Sequence, residues 1–200
     1  MISVLIPSRG NPALLERSVW SLRDHASRPP EILVAVDDDD PVTIFTAGEL
    51  AVRLHVREQA GYDRLHVYYQ ELAAMASGDW LLVWGDDCVM TTDDWDGIIE
   101  SLPPGVLVAD LKSTHSQHCC FPAVRRTAME AIGRFSTDNP HVDTFWGDIA
   151  TGAGVIRRPD GIFVQADSLI RGYPHDFYSP EHQEKMRECI RLLAAAKCVS

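Results

Sequence analysis

LLVWGDDCVM, residues 81–90, is an apolar run that passes directly into two adjacent aspartates, Asp86 and Asp87. Consecutive apolar residues of this length read as a strand buried on both faces, the kind found inside a parallel sheet. Two carboxylates abutting such a strand need compensation for lost hydration, and a divalent cation commonly supplies it. The end of a central strand is also where open α/β sheets place their ligands. The plainer alternative is a polar strand-to-helix turn.

Working back toward the N-terminus, Leu65, Tyr68, Tyr69, Leu72, Met75 and Ala76 recur at helical spacing, with Gly78 as the terminator. Val52, Leu54 and Val56 alternate with Arg53, His55 and Arg57, a strand with one wet face. Ile32 to Val36 is a second buried strand, and it too ends in acids, Asp37 to Asp40. Ile2 to Ile6 is a third, stopped by Pro7. Asn11 and Pro12 then open a helix reaching about His25. Toward the C-terminus, Thr91 and Thr92 precede Asp93 and Asp94, acids that fit the first turn of a helix. Val106 to Ala109 is a strand. Phe121 to Phe135 is predicted to be helical, followed by a loop of His, Asp and Trp residues. Gly161 to Ala166 is a strand, and Pro180 opens a last amphipathic helix ending at Ala196. This alternation predicts one domain, a three-layer α/β/α sandwich around a mostly parallel sheet. The two acidic strand ends then share one edge and bring six carboxylates to one crevice, a crowding that marks a site.

Composition narrows the function. The 200 residues are 46% hydrophobic, enough for one substantial core. The net charge of −11 argues against nucleic-acid binding through phosphates, which needs a basic patch. No apolar run approaches the roughly 18 residues of a membrane span, and no basic segment precedes the first apolar run as in a secretory signal. Five cysteines, with Cys119 and Cys120 adjacent, fit reduced thiols and a cytoplasmic location.

The order of these segments resembles the family 2 glycosyltransferases of the GT-A fold. SVLIPSRGNPALLERSVWSL is similar to the family's first strand, Pro-Ser/Thr loop and first helix. ILVAVDDDDP resembles the second strand, HVYYQELAAMASGDWLLVWGDDCVM the helix and Asp-x-Asp metal strand, and FPAVRRTAMEAIGRF an Arg- and Gly-x-Phe-bearing segment further on. The likeness spans about residues 1–150. It implies a nucleotide-sugar donor half (residues 1–110) and an acceptor half (111–200), and a divalent ion, Mn²⁺ or Mg²⁺.

The resemblance also assigns roles. Pro7, Ser8 and Arg9 of the first loop, Asp37, Asp38 and Arg64 would hold the nucleotide, with Asp37 and Asp38 facing the nucleoside. Asp87 would be the direct metal ligand and Asp86 a water-mediated ligand or donor-sugar contact. Gly85 stands where a plain Asp-x-Asp has its first acid, or else Cys88 where it has its last, and a thiol is a poor ligand for a hard cation. His175 would complete the metal shell. Asp148 is implied as the general base, with Asp143 as the alternative and a loop N-cap as the plain role for both. Trp146 suits stacking on a sugar ring or a place in the core. Gln70 replaces a family Asn near the donor. The His115 to Cys120 segment lacks the paired spacing of a zinc site, and His115 or His118 would instead lie near the acceptor.

These readings describe an inverting, metal-dependent glycosyltransferase using a nucleotide sugar, UDP-linked by preference, and an unidentified hydroxyl acceptor on a glycan, protein or other molecule. The alternatives are a nucleotidyltransferase on a similar sheet, although its glycine-rich basic first loop is missing, and an inactive relative that binds the nucleotide sugar.

Overall fold

Strand β1 (Ile2–Ser8) divides the molecule: Ile2, Val4 and Ile6 enter one apolar cluster and Leu5 the other. In this computed structural model, which describes residues 1–113, 119–166 and 179–197, those clusters lie on opposite faces of a nine-stranded sheet. Strands β2 (Glu31–Asp37), β3 (Arg53–Arg57) and β4 (Trp80–Val83) give the parallel order β3-β2-β1-β4. One face is covered by α1 (Pro12–Asp24), α2 (Pro41–Glu49) and α4 (Trp95–Glu100). The other is covered by α3 (Leu65–Met75), α5 (Arg126–Ile132), α6 (Val142–Ala153) and α7 (Pro180–Ala196). The result is three layers, as the alternation predicts. Helix α1 is seated by Leu15, Val19 and Leu22, all with no exposure, and each contributes about 1.5–3 kcal/mol relative to an exposed side chain.

Beyond β4 the sheet becomes mixed. Strand β7 (Phe121–Arg125) runs antiparallel between β4 and β6 (Val108–Ser113). Short β8 (Ile156–Arg157) and β9 (Phe163–Ala166) both lie parallel to β6, and β5 (Cys88–Met90) closes the order against β9. Five of the eight pairings are parallel.

Three expectations are corrected. The 81–90 segment is two strands, not one: β4 pairs with β1 and β7, the chain turns at residues 84–87, and β5 leaves to pair with β9. Phe121 to Phe135 is not all helix. Phe121, Ala123 and Val124 are buried in β7, where a strand covered on both faces shows no alternation to distinguish it from a buried helix. Pro122 is tolerated because the β4 pairing has ended at Ala123, so its missing N–H breaks no ladder bond on that side. The supposed loop after Phe135 contains α6, whose Val142, Phe145, Trp146, Ile149 and Ala150 form a buried stripe at helical spacing.

Candidate active site

Because β1, β2 and β4 are parallel, their C-terminal ends deliver Ser8-Arg9-Gly10, Asp37–Asp40 and Gly85-Asp86-Asp87 to one edge. The four consecutive aspartates divide into different roles there. Asp37 is 1% exposed; its Oδ1 accepts from the Tyr68 hydroxyl and its Oδ2 from Arg9 Nη1 at 2.6 Å. Tyr68 Oη accepts in turn from the Ala60 amide at 3.0 Å, and the Arg57 guanidinium lies 4.8 Å from the Tyr68 ring centre. Asp39 grips Arg9 with both oxygens, at 2.5 and 2.9 Å, and that pairing holds the Asp39 carboxyl below its ordinary range. Asp40 caps α2 by accepting from the Thr43 amide at 3.2 Å, and it also accepts from the Gly10 amide at 2.6 Å. Gly10 has φ 71°, a backbone conformation that favours glycine. Among the described residues, Asp38 is the one of the four whose exposed side chain makes no hydrogen bond or ion pair; its amide is tied to the Arg57 carbonyl at 2.7 Å.

The turn after β4 is clamped from both helical layers. Trp84 Nε1 donates to Ser18 Oγ at 2.8 Å, Ser18 donates to the Gly85 carbonyl at 3.3 Å, and the Tyr69 hydroxyl donates to the Trp84 carbonyl at 2.9 Å. Ser8 Oγ donates to Asp86 Oδ2 at 2.7 Å. Burial pushes the Asp86 carboxyl up, the Ser8 bond opposes this, and the negative charge of Asp87 adds to the rise. Two neighbouring carboxylates suit an oxygen-seeking divalent ion. Among the described residues no group of three His, Cys, Asp or Glu side chains is placed to hold one. Cys88 is 3% exposed, and burial followed by the Asp87 charge drives its thiol far above the usual range. Its thiol donates to Asp87 Oδ1 at 3.4 Å and so supports that carboxylate. A Cβ at Gly85 would lie 2.8 Å from Asp87 Oδ1, so the space of a first acid is filled by the second acid's own side chain.

Asp143 stands in the first turn of α6 and Asp148 further along the same helix. Burial pushes the Asp143 carboxyl up to about 6, with the Asp148 charge contributing in the same direction. Burial pushes the Tyr69 hydroxyl well above its ordinary range, and the charges of Asp143 and Asp86 add to the rise. A cleft of about 420 Å³ opens along α6, with Asp110, Cys119, Thr144, Asp148, Thr151 and Arg158 among its walls.

Of the other expected site residues, Pro7 lies within β1, paired with Ala35, and Arg64 is exposed just before α3. Trp146 is corrected to a core residue: it has no exposure, donates from Nε1 to the Phe135 carbonyl at 2.7 Å, and packs on Phe135 and Phe145. A ring without exposed surface cannot stack on a sugar. Gln70 is likewise structural, its Oε1 accepting from the Phe135 and Ser136 amides at 2.9 and 3.1 Å. His175, His115 and His118 lie outside the described residues. Tyr68 and Tyr69 show in the sequence only the helical spacing of core residues, and Ser18 shows no signal at all, yet all three fix this edge through side-chain hydrogen bonds.

This arrangement of a parallel half-sheet with acidic strand ends, continued by a mixed half-sheet, is the GT-A architecture of nucleotide-sugar transferases. The chain belongs to glycosyl transferase family 2, whose model matches residues 3–160. No curated protein matches it. Among solved structures, the mannosyltransferase PcManGT from Pyrobaculum calidifontis, in complex with GDP-Man and Mn²⁺, superposes with a TM-score of 0.66 at 16% identity, over 98% of this chain and 73% of that one. S. aureus TarS 1–349 in complex with UDP-GlcNAc gives 0.60 at 13% identity, over 98% and 66%. The glucosyl-3-phosphoglycerate synthase of Mycobacterium tuberculosis, in complex with Mn²⁺, UDP and glucosyl-3-phosphoglycerate, gives 0.59 at 15% identity, over 99% and 80%. Among the described residues no helix is long and apolar enough to cross a membrane.

Proposed function

We propose that the protein is a metal-dependent, inverting hexosyltransferase that moves a sugar from a nucleoside-diphosphate donor, UDP-linked by preference, to an acceptor hydroxyl. Residues 1–110 hold the donor and 111–200 the acceptor, within one domain. Asp87, with Asp86 beside it, would hold Mn²⁺ or Mg²⁺, which when bound neutralises charge developing on the departing diphosphate. Ser8 keeps the Asp86 carboxylate oriented for that role. Arg9, fixed by Asp37 and Asp39, presents a cation at the rim of the donor crevice, and exposed Asp38 meets the nucleoside.

Of the two acids on α6 we take Asp143 as the base, with Asp148 as the alternative: it stands in the first turn of the helix, and burial raises its carboxyl to about 6, which matches proton abstraction near neutral pH. The convergence of the β1, β2 and β4 ends, with Arg9 on Asp37 and Ser8 on Asp86, is the observation that carries the proposal. A base on the acceptor side attacks opposite the leaving diphosphate and inverts the anomeric centre. The odd cysteine count favours a cytoplasmic location.

Thermal unfolding with UDP, GDP or TDP, each with and without Mn²⁺, tests the donor site. One nucleoside diphosphate should raise the midpoint by several degrees only when Mn²⁺ is present, since tight binding to the folded state stabilises it by about 3 kcal/mol at a hundredfold excess over Kd. No metal-dependent stabilisation by any of them sinks the proposal. Release of pyrophosphate in place of nucleoside diphosphate would instead show nucleotidyl transfer.

A further inference from the structure

Three helices of one layer begin with a histidine, and one short segment joins them. His66 lies in the first turn of α3, His141 is the N-cap of α6, and His182 lies in the first turn of α7. Along residues 135–141, the Ser136 hydroxyl donates to the His66 carbonyl at 2.7 Å. The Asp138 carboxylate accepts from Lys185 Nζ at 3.5 Å, three residues beyond His182, and His141 ends the segment. The junction is polar but thinly bonded: the buried Thr137 Oγ1 and His66 Nδ1 have no hydrogen-bond partner among the described residues. Burial holds all three imidazoles below their ordinary 6.5. Arg64 adds to this at His66 and Lys185 at His182, whereas Asp138 opposes it at both and Asp148 at His182. Asp138 is 80% exposed, so water screens its help, and Lys185 pairs with Glu181 as well, at 3.1 Å. The positive end of each helix dipole also disfavours a cation at these positions.

We propose that this junction is an acid-sensitive latch on α7: with its three histidines neutral the helix is docked, and their protonation releases it from α6. Docked α7 buries Met186, Cys189 and Leu193, and its Ile190 lies so close to α6 that a Cβ at Gly152 would come within 2.7 Å of Cδ1. Protonation puts a cation at each of three positive helix ends, two of them beside Arg64 and Lys185. Helix α7 is the one that yields. Helix α3 is tied down by Tyr68 on Asp37 and Tyr69 on the Trp84 carbonyl, and α6 by Trp146 on the Phe135 carbonyl. The start of α7 has the long Lys185–Asp138 contact and the Ser179 cap, which accepts from the His182 amide at 3.3 Å. Because the folded state resists these protons, the histidines' contribution to docking is complete above 6.5 and is lost as pH falls below it. Asp143, two residues after His141, also takes up a proton near 6, but that removes a buried charge and opposes release. The latch does not depend on the transferase reading, and its test needs no donor, metal or acceptor.

Hydrogen exchange on the full chain, read by mass spectrometry at about pH 7.5 and 5.5 and corrected for the intrinsic pH dependence of exchange, tests this. Protection of α7 amides should fall about 10–100-fold more than that of α1 amides, since each histidine shifts the docking equilibrium by up to about tenfold over that interval. His66→Gln and His182→Gln each replace an imidazole by an uncharged amide, and each should shrink that differential at least about threefold. NMR titration of the wild-type imidazoles needs no variant to fold: His66, His141 and His182 should all titrate below 6.5. Equal loss of protection in α7 and α1 is global acid unfolding and overturns the latch. So does unchanged α7 protection, a full differential in both folded variants, or imidazoles that titrate at or above 6.5.

Discussion

Ser8 Oγ donates to Asp86 Oδ2 at 2.7 Å, joining the end of β1 to the turn after β4 across 78 residues of sequence. The bond favours the charged form of a carboxyl that burial pushes the other way. Ser8→Ala should therefore let the Asp86 carboxyl rise further, so that protons compete better with a cation. The Mn²⁺ concentration needed for half-maximal nucleotide stabilisation should increase about 10–100-fold, matching the roughly 1.5–3 kcal/mol of a hydrogen bond to a charged group. Isothermal titration at pH 6 and pH 8 checks this, and the deficit should be larger at pH 6. An unchanged affinity at both values removes Ser8 from the metal site.

Asp143 is raised to about 6 by burial, which has a consequence for stability as well as rate. Its folded carboxyl binds a proton more readily than the unfolded one, so its contribution to stability is greatest at low pH and declines as pH rises from about 4 through 6. Asp143→Asn removes the buried charge and should stabilise the protein at pH 8 by about 1–3 kcal/mol. The same change should reduce transfer by about 10²–10⁴-fold while nucleotide binding persists. In the wild type, kcat/KM should rise with pH and level off above about 6. A variant that is less stable at pH 8, or that keeps full activity, would falsify the assignment, and Asp148 would then be the base to test.

Trp146 separates a sugar platform from a core residue. Its indole N–H is matched by the Phe135 carbonyl, and its ring fills the space between α6 and the segment after α5. Trp146→Phe keeps most of the volume and orphans that carbonyl, so unfolding should become easier by about 1–3 kcal/mol. The donor KM at a temperature well below unfolding should stay within twofold. A large KM increase with unchanged stability would return Trp146 to the sugar site.

The parts of this site legible in the sequence are those set by chain direction. Parallel strands β1, β2 and β4 had to bring their acidic ends to one edge, and apolar runs ending in Asp37 and Asp86 announce it. The division of labour among Asp37–Asp40 was not legible. Four identical residues contain no local signal, and only the β2 pleat, Tyr68 on α3 and Arg9 after β1 decide which is buried and which remains open. Helix α6 was obscured for a different reason. Its buried stripe from Val142 to Ala150 is regular, but Gly147, His141 and three acids or threonines interrupt it, and polar density was read as loop. Strand β7 lost its signature because it is buried on both faces.

Gly85 offers the sharpest test of the metal motif. An acid placed there by Gly85→Asp completes an Asp-x-Asp in the sequence, yet a Cβ would lie 2.8 Å from Asp87 Oδ1 and 3.1 Å from Cys88 Sγ. The carboxylate of Asp87 must swing away from its Cys88 donor, and a third negative charge joins Asp86 and Asp87 in one turn. Without a cation the variant should unfold more easily, by about 1–2 kcal/mol. With saturating Mn²⁺ it should recover part of that loss, because a cation relieves the added repulsion, while the affinity for Mn²⁺ in the presence of nucleoside diphosphate should not exceed the wild type. Thermal unfolding with and without Mn²⁺ reports the first quantity and titration calorimetry the second. A tenfold tighter Mn²⁺ site in Gly85→Asp would show that the turn has room for two first-position oxygens, and that Asp87 does not fill the space where the missing acid would stand.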